Sequence, residues 1–115
     1  MKKEKTFEAK IYLGSMNNNT GQYVTQDKVE NIINDYVNAI TWCITITETK
    51  FMYVDGNEEG WIIGIIQNPR FPESENALRN KTLELADILL KKCFQERVSV
   101  VFPDETIMLE NIINE

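Results

Sequence analysis

The chain has 115 residues, 43% of them apolar and 26% charged, and 18 acidic against 12 basic side chains give a net charge of −6. That length supports one ordinary core but not two, and the acidity argues against binding to nucleic-acid polymers or anionic membranes, which Lys and Arg supply by neutralising phosphates. Histidine is absent, which removes the commonest general base and makes a zinc site improbable.

No apolar run reaches the roughly 18 residues of a membrane span. Met1-Lys2-Lys3-Glu4-Lys5 is not followed by an apolar h-region, so no secretory signal is expected. Cys43 and Cys93 stand alone in the sequence and read as structural thiols of a reducing compartment, giving an expected cytoplasmic location.

Phe7, Ala9, Ile11 and Leu13 alternate with Glu8, Lys10 and Tyr12, the period of a strand with one apolar face, and Gly14 ends it. Ser15 to Val24 is polar and Asn-rich without apolar period, and is expected to be an exposed linker. Thr25 can cap a helix with Asp27 in its first turn, after which Val29, Ile32, Ile33, Tyr36, Val37 and Ile40 form one apolar stripe.

The chain is organised around Ile40 to Pro72. Trp42 to Val54 is rich in β-branched and aromatic residues and reads as a strand. Its apolar phase changes between Ile46 and Phe51, so a bulge or twist is expected near Thr47 to Lys50 to keep both groups on one face. Asp55 to Gly60 reads as a solvated loop, its two glycines free to take positive φ. Trp61 to Ile66, WIIGII, is apolar on both faces and is expected to be a central strand covered on both sides, with Gly64 allowing a close backbone approach.

Ser74 is the expected cap of a second helix that buries Leu78, Leu85, Ala86, Leu89 and Cys93 and ends near Phe94, with Lys91 and Lys92 in its last turn. Val98, Val100 and Phe102 mark a fourth strand, Pro103 to Thr106 a turn, and Ile107 to Leu109 a short extra strand.

Strand, helix, strand, strand, helix, strand is the order of a ferredoxin-like split βαβ in the α+β class: a four-stranded antiparallel sheet, fourth-first-third-second in space, with both helices on one face. Residues 1–115 are expected to form a single domain, with 1–5 and 111–115 loosely ordered. The helices can cover only one face of WIIGII, so a homo-oligomer is expected to cover the other.

No nucleophile motif such as Gly-x-Ser-x-Gly is present, and neither Gly-x-Gly-x-x-Gly nor a P-loop. Asp55, Glu58 and Glu59 read as a solvated turn, so neither catalytic residues nor a metal or cofactor are expected. Arg70 lies in Asn68-Pro69-Arg70-Phe71-Pro72, stiffened by two prolines before a helix N-terminus, where free N–H groups and the dipole favour an anion and Phe71 offers a ring to a base. Asn68, Arg70, Phe71 and Ser74 are thus the candidate ligand contacts. Arg97, at the start of the fourth strand, falls at the opposite end of the sheet, where only an oligomer could bring it to the same ligand. These residues suggest a non-catalytic oligomeric protein that binds a small phosphorylated, nucleotide-type ligand. The alternatives are a protein-interaction module using the apolar sheet face and a small enzyme built on carboxylates.

The strand and helix order resembles that of RNA-recognition motifs, whose third strand carries basic and aromatic residues where this chain has WIIGII. It also resembles ACT-type amino-acid-sensing domains, in which a Gly-containing turn after the first strand, here Gly14, lies at a ligand interface between subunits. The run from the Asp55-Gly56 turn through NPRFP to QERVSVVFPDET is similar to the anti-Thoeris sponges, small phage proteins that sequester cyclic nucleotide or ADP-ribose immune signals. That resemblance implies an oligomeric, non-catalytic pocket for a phosphorylated adenine-type ligand, gripped by arginines and an aromatic.

Overall fold

The computed structural model describes residues 1–111. Its elements are β1 (Glu8–Gly14), α1 (Gln26–Ile40), β2 (Thr45–Tyr53), β3 (Gly56–Ile66), α2 (Glu75–Lys92), β4 (Arg97–Val101) and β5 (Thr106–Glu110). The strands form one open antiparallel sheet in the order β2-β3-β1-β4-β5. The fold is α+β, and the sheet has five strands rather than four: the short extra strand expected at Ile107 to Leu109 is β5, and it joins the sheet as a full member, paired along the whole of β4 from Arg97↔Glu110 to Val101↔Thr106. Alternation explains it: Ile107 and Leu109 are partly buried against the core while Thr106, Met108 and Glu110 stay exposed. Of the tail expected to be loosely ordered, residues 112–115 lie outside the described residues.

Strand residues of a single parity build the core. Ala9, Ile11 and Leu13, Trp61, Ile63 and Ile65, and Val98 and Val100 are buried together with Val29, Ile32, Ile33 and Tyr36 of α1 and Leu78, Leu85, Ala86 and Leu89 of α2. Both helices therefore lie on one face of the sheet, and each fully buried Ile or Leu contributes about 1.5–3 kcal/mol. Thr25 caps α1 by accepting from the Lys28 N–H at 3.3 Å, and Ser74 caps α2 by accepting from the Ala77 N–H at 3.1 Å. The one buried hydroxyl inside α2, Thr82, donates to the Leu78 carbonyl at 2.7 Å and so costs little.

Three local expectations are corrected. The β2–β3 register runs without a break from Thr45↔Gly64 to Tyr53↔Gly56, so there is no bulge. Ile46 instead faces the helices, while Phe51 projects to the other side of the sheet, where its ring meets Tyr12 edge-on at 6.5 Å. Glu58 and Glu59 belong to β3 rather than to a loop, and the left-handed position of the turn falls on Asp55, at φ 61°, not on a glycine. The two glycines serve close approach: a Cβ on Gly56 would lie 2.5 Å from the Tyr53 ring, and one on Gly60 would strike the Leu13 carbonyl and the Phe51 ring.

The third correction concerns Ser15 to Val24, which is a built ribbon with Ser15 and Asn17 buried. Met16 and Tyr23 face each other, the Val24 N–H donates to the Ser15 carbonyl at 2.8 Å and the Asn17 N–H to the Gln22 carbonyl at 2.8 Å. The Asn17 side chain bonds the Phe94 carbonyl at 2.7 Å and the Asn19 and Thr20 N–H groups at 2.9 and 3.1 Å. A polar composition thus encodes a side-chain-organised turn.

Candidate active site

Beyond Gly60, β1 no longer accompanies β3, and Gly56–Glu59 pair only with Lys50–Tyr53 of β2. The hairpin therefore overhangs the sheet, and no helix covers its helix-side residues there. By strand alternation these are Lys50 and Met52 of β2 and Asn57 and Glu59 of β3, with Glu48 and Trp61 behind them where β1 still accompanies β3; the register sets Glu48 opposite Trp61 and Lys50 opposite Glu59. The start of α1 and the arm of the ribbon that leads into it close the other side. The result is a cavity of ≈ 440 Å³ lined by Tyr23, Thr25, Gln26, Glu48, Thr49, Lys50, Glu59, Gly60 and Trp61, within the range of small-molecule sites.

Trp61, only 4% exposed, forms the floor, while Tyr23 at 54% stands on the rim. Glu48 and Glu59 are diagonal neighbours across the two strands, with Cβ atoms roughly 7–8 Å apart. Among the described residues, no ion pair engages Glu48, Lys50 or Glu59. Two carboxylates, an ammonium and two aromatic rings thus line one cleft, a donor set able to hold a zwitterionic or cationic ligand by charge and by ring face.

The residues singled out in the sequence lie elsewhere. Asn68, Arg70, Phe71 and Ser74 share the segment between β3 and α2, whereas Arg97 opens β4 at the far end of the sheet, about 20 Å away along a seven-residue strand. Most polar groups of this segment bond one another, while the Arg70 guanidinium is exposed and joins no ion pair among the described residues. Asn68 accepts from the Arg70 N–H at 3.0 Å, and the Arg70 guanidinium lies over the Phe71 ring at 5.0 Å. Gln67 and the backbone of Glu73 exchange hydrogen bonds of 2.7 and 3.0 Å, and the Glu73 carboxylate pairs with Lys81. A second groove of ≈ 380 Å³ lies beside it, lined by Thr41, Trp42, Cys43, Ile66, Asn68, Phe71, Pro72 and Glu73; Arg70 is not among its walls.

Tyr23, Thr25, Gln26, Glu48, Lys50 and Trp61 were not singled out in the sequence as site residues, and Glu59 was assigned to a solvated turn. One signal was present: Glu48 and Lys50 continue the parity of Ile44 and Ile46, which places charge on the core-facing side where a strand outruns its core. Arg79, which belongs to no motif in the sequence, makes the densest ionic cluster among the described residues. It stacks on Phe102 at 4.7 Å and bonds Asp104 at 2.5 Å, with Glu75 at 3.5 Å and Glu105 at 3.7 Å, so that it fastens α2 to the β4–β5 turn; its guanidinium holds the Asp104 carboxyl below the usual range. Elsewhere, burial pushes the Cys93 thiol up to about 11. Burial, followed by the neighbouring Glu84, also raises the ionisation of Tyr36, whose hydroxyl donates to the Lys81 carbonyl at 3.3 Å.

No family model matches the chain, and no curated protein matches its sequence. Two solved structures share its fold. A phage SAM lyase in its apo state superposes with a TM-score of 0.75 at 18% identity, over 95% of this chain and 92% of that one. A phage SAM lyase in complex with S-methyl-5'-thioadenosine superposes with a TM-score of 0.72 at 17% identity, over 100% and 97%. These matches correct the expectation of a non-catalytic sponge, because the architecture is one that an enzyme uses, and of the readings drawn from the sequence they favour an enzyme.

Proposed function

We propose that this chain is a single-domain, ferredoxin-like lyase, with a fifth strand added to the sheet, that cleaves S-adenosylmethionine in the cleft between the start of α1 and the β2–β3 hairpin. The observation that carries the reading is the end-to-end likeness to the SAM lyase structures, one of which holds S-methyl-5'-thioadenosine. The cleft supplies a matching chemistry. S-adenosylmethionine bears a sulfonium, an α-ammonium and a carboxylate; Glu48 and Glu59 suit the cationic groups, Lys50 the carboxylate, and Tyr23 and Trp61 the adenine and the methylsulfonium.

S-methyl-5'-thioadenosine keeps the adenosyl and methyl groups of the substrate, so the bond that breaks joins sulfur to the γ-carbon of the amino-acid chain. Its electron pair goes to sulfur, which leaves as a neutral thioether. The replacement pair at the γ-carbon is available from the substrate's own carboxylate, which closes a five-membered lactone and needs no protein base or proton transfer. Opposite charges disappear as this transition state forms, so water displaced from the cleft by the bound substrate lowers the barrier, and the protein's task is to fold the amino-acid chain back on itself.

Incubating the purified protein with S-adenosylmethionine and following both products by chromatography tests this. S-methyl-5'-thioadenosine and a lactone are expected in equal amounts; if the thioether nucleoside is neither released nor bound, the reading fails. A homo-oligomer belongs to the same proposal, supported by the exposed Met52, Tyr53 and Val54 of the hairpin tip and Ile66 and Met108 on the helix-free face; sedimentation showing a monomer at tens of micromolar would remove it. The two free thiols support a cytoplasmic setting.

A further inference from the structure

The ribbon from Ser15 to Val24 brings Tyr23 and the Thr25 cap to the cleft, and it is fastened by a carboxylate that does not line the cavity. The N–H groups of Ser15 and Met16 both donate to Oε2 of Glu58, at 3.0 and 3.1 Å. Glu58 and Glu59 alternate on β3, so Glu59 lines the cleft while Glu58 projects from the other side of the strand. Ser15 is 1% exposed, which leaves its N–H without a ready water partner if the carboxylate goes.

Gly14 makes the contact fit: a Cβ there would lie 2.8 Å from Glu58 Oε2 and 3.0 Å from Gln95 Oε1. Gln95 is itself buried and held to the Cys93 carbonyl at 2.9 Å, so the carboxylate is the group that would have to move.

We propose that Glu58 is a positioning residue: by pinning the Ser15 and Met16 amides it holds the ribbon against the hairpin, and so holds Tyr23 and the first turn of α1 over the cleft. The proposal rests on the lyase reading for the identity of the ligand. Because Glu58 acts through Tyr23 and does not touch the reacting atoms, its removal affects binding more than turnover.

The test compares the parent with Glu58→Ala, Glu58→Gln and Gly14→Ala in SAM turnover and S-methyl-5'-thioadenosine titration, with hydrogen exchange at Ser15 and Met16. Glu58→Ala is expected to raise KM and the dissociation constant about tenfold, the loss of one charge-assisted contact, with kcat within about threefold and fast exchange at both amides. Glu58→Gln, which keeps an acceptor oxygen, is expected to recover most of the binding, and Gly14→Ala to move in the direction of Glu58→Ala. If Glu58→Gln loses kcat as fully as Glu58→Ala, Glu58 takes part in the chemistry and the proposal fails. It fails equally if Glu58→Ala melts at a lower temperature with KM unchanged. If the parent neither turns over SAM nor binds the nucleoside, the lyase reading fails separately; the anchor is then judged on exchange alone, supported by fast exchange in Glu58→Ala and overturned by unchanged protection.

Discussion

The two ends of the sheet use polar residues in opposite ways. In the segment from Gln67 to Ser74, side chains satisfy their own backbone: Gln67 bonds Glu73, Asn68 bonds Arg70, Ser74 caps α2 and Arg70 lies on its neighbour Phe71. At the overhanging hairpin, Glu48, Lys50 and Glu59 line a cavity, and no ion pair engages them among the described residues. The first region looks like a binding motif in sequence because its residues are adjacent, but adjacency is also what lets them satisfy one another. The second is invisible as a motif because its walls come from three separate segments, around Tyr23 to Gln26, Glu48 to Lys50 and Glu59 to Trp61, yet it is where several charged groups face one open cavity.

Breaking the second region has the largest expected consequence. Glu48→Ala or Glu59→Ala is expected to cut kcat/KM for SAM about 100-fold, or about 2.7 kcal/mol of transition-state stabilisation, with little change in folding. Asp35→Ala, on the exposed side of α1, serves as the control and leaves turnover unchanged. Equal losses in all three would remove the cleft as the site.

Breaking the first region acts on stability instead. Gln67→Ala removes both hydrogen bonds to Glu73, which is only partly exposed, and is expected to cost about 1–3 kcal/mol in urea unfolding while turnover per folded molecule stays the same. A loss of kcat at unchanged stability would make this end functional and erase the contrast.

What was legible in the sequence follows the same division. Where one segment carries its own pattern the reading holds: the α1 stripe from Val29 to Tyr36, the caps Thr25 and Ser74, and the alternation in β1 and β4. Their order also led to the observed sequence of β2, β3, β1 and β4 in the sheet. It failed where a second segment decides. The apolar phase of β2 alone suggests a bulge at Phe51, whose actual partners, Gly60 and Tyr12, are nine and 39 positions away. Ser15 to Val24 read as a linker because the groups that hold it, Glu58 and the Phe94 carbonyl, are remote, and the cleft needs all of these placements at once.

A smaller effect belongs to the cleft end of α2, where Cys93 is buried. Burial pushes its thiol up to about 11 from an ordinary 9.0, with Lys28 pulling weakly the other way. The native state then keeps a proton that the unfolded chain has released, so the stability linked to the neutral thiol is full below pH about 9 and lost as pH rises through about 11. Tyr36, also raised by burial, adds to the same fall above its ordinary 10.0. Urea midpoints at pH 8 and pH 10 are expected to fall less steeply for Cys93→Ala than for the parent; parallel curves would show that Cys93 ionises equally in both states.

The smallest expected effect is the most pointed. Arg70 sits at a helix N-terminus on a loop stiffened by two prolines, which is the arrangement of an anion site. Yet the dipole end it would share already faces Glu75 in the first turn of α2, with Glu73 just before the cap, and its guanidinium is exposed and laid over Phe71, itself 64% exposed. On the proposed lyase reading the ligand carries no phosphate, which gives that guanidinium little to grip. Arg70→Ala is therefore expected to leave the affinity for S-methyl-5'-thioadenosine within about twofold and the melting temperature within about 2 °C, as for a surface substitution away from caps and cores. Calorimetric titration beside Glu59→Ala decides between the two ends: if Arg70→Ala weakens binding tenfold while Glu59→Ala does not, the site lies at the NPRFP loop, and the groove lined by Trp42, Cys43 and Phe71 becomes the place to look for the ligand.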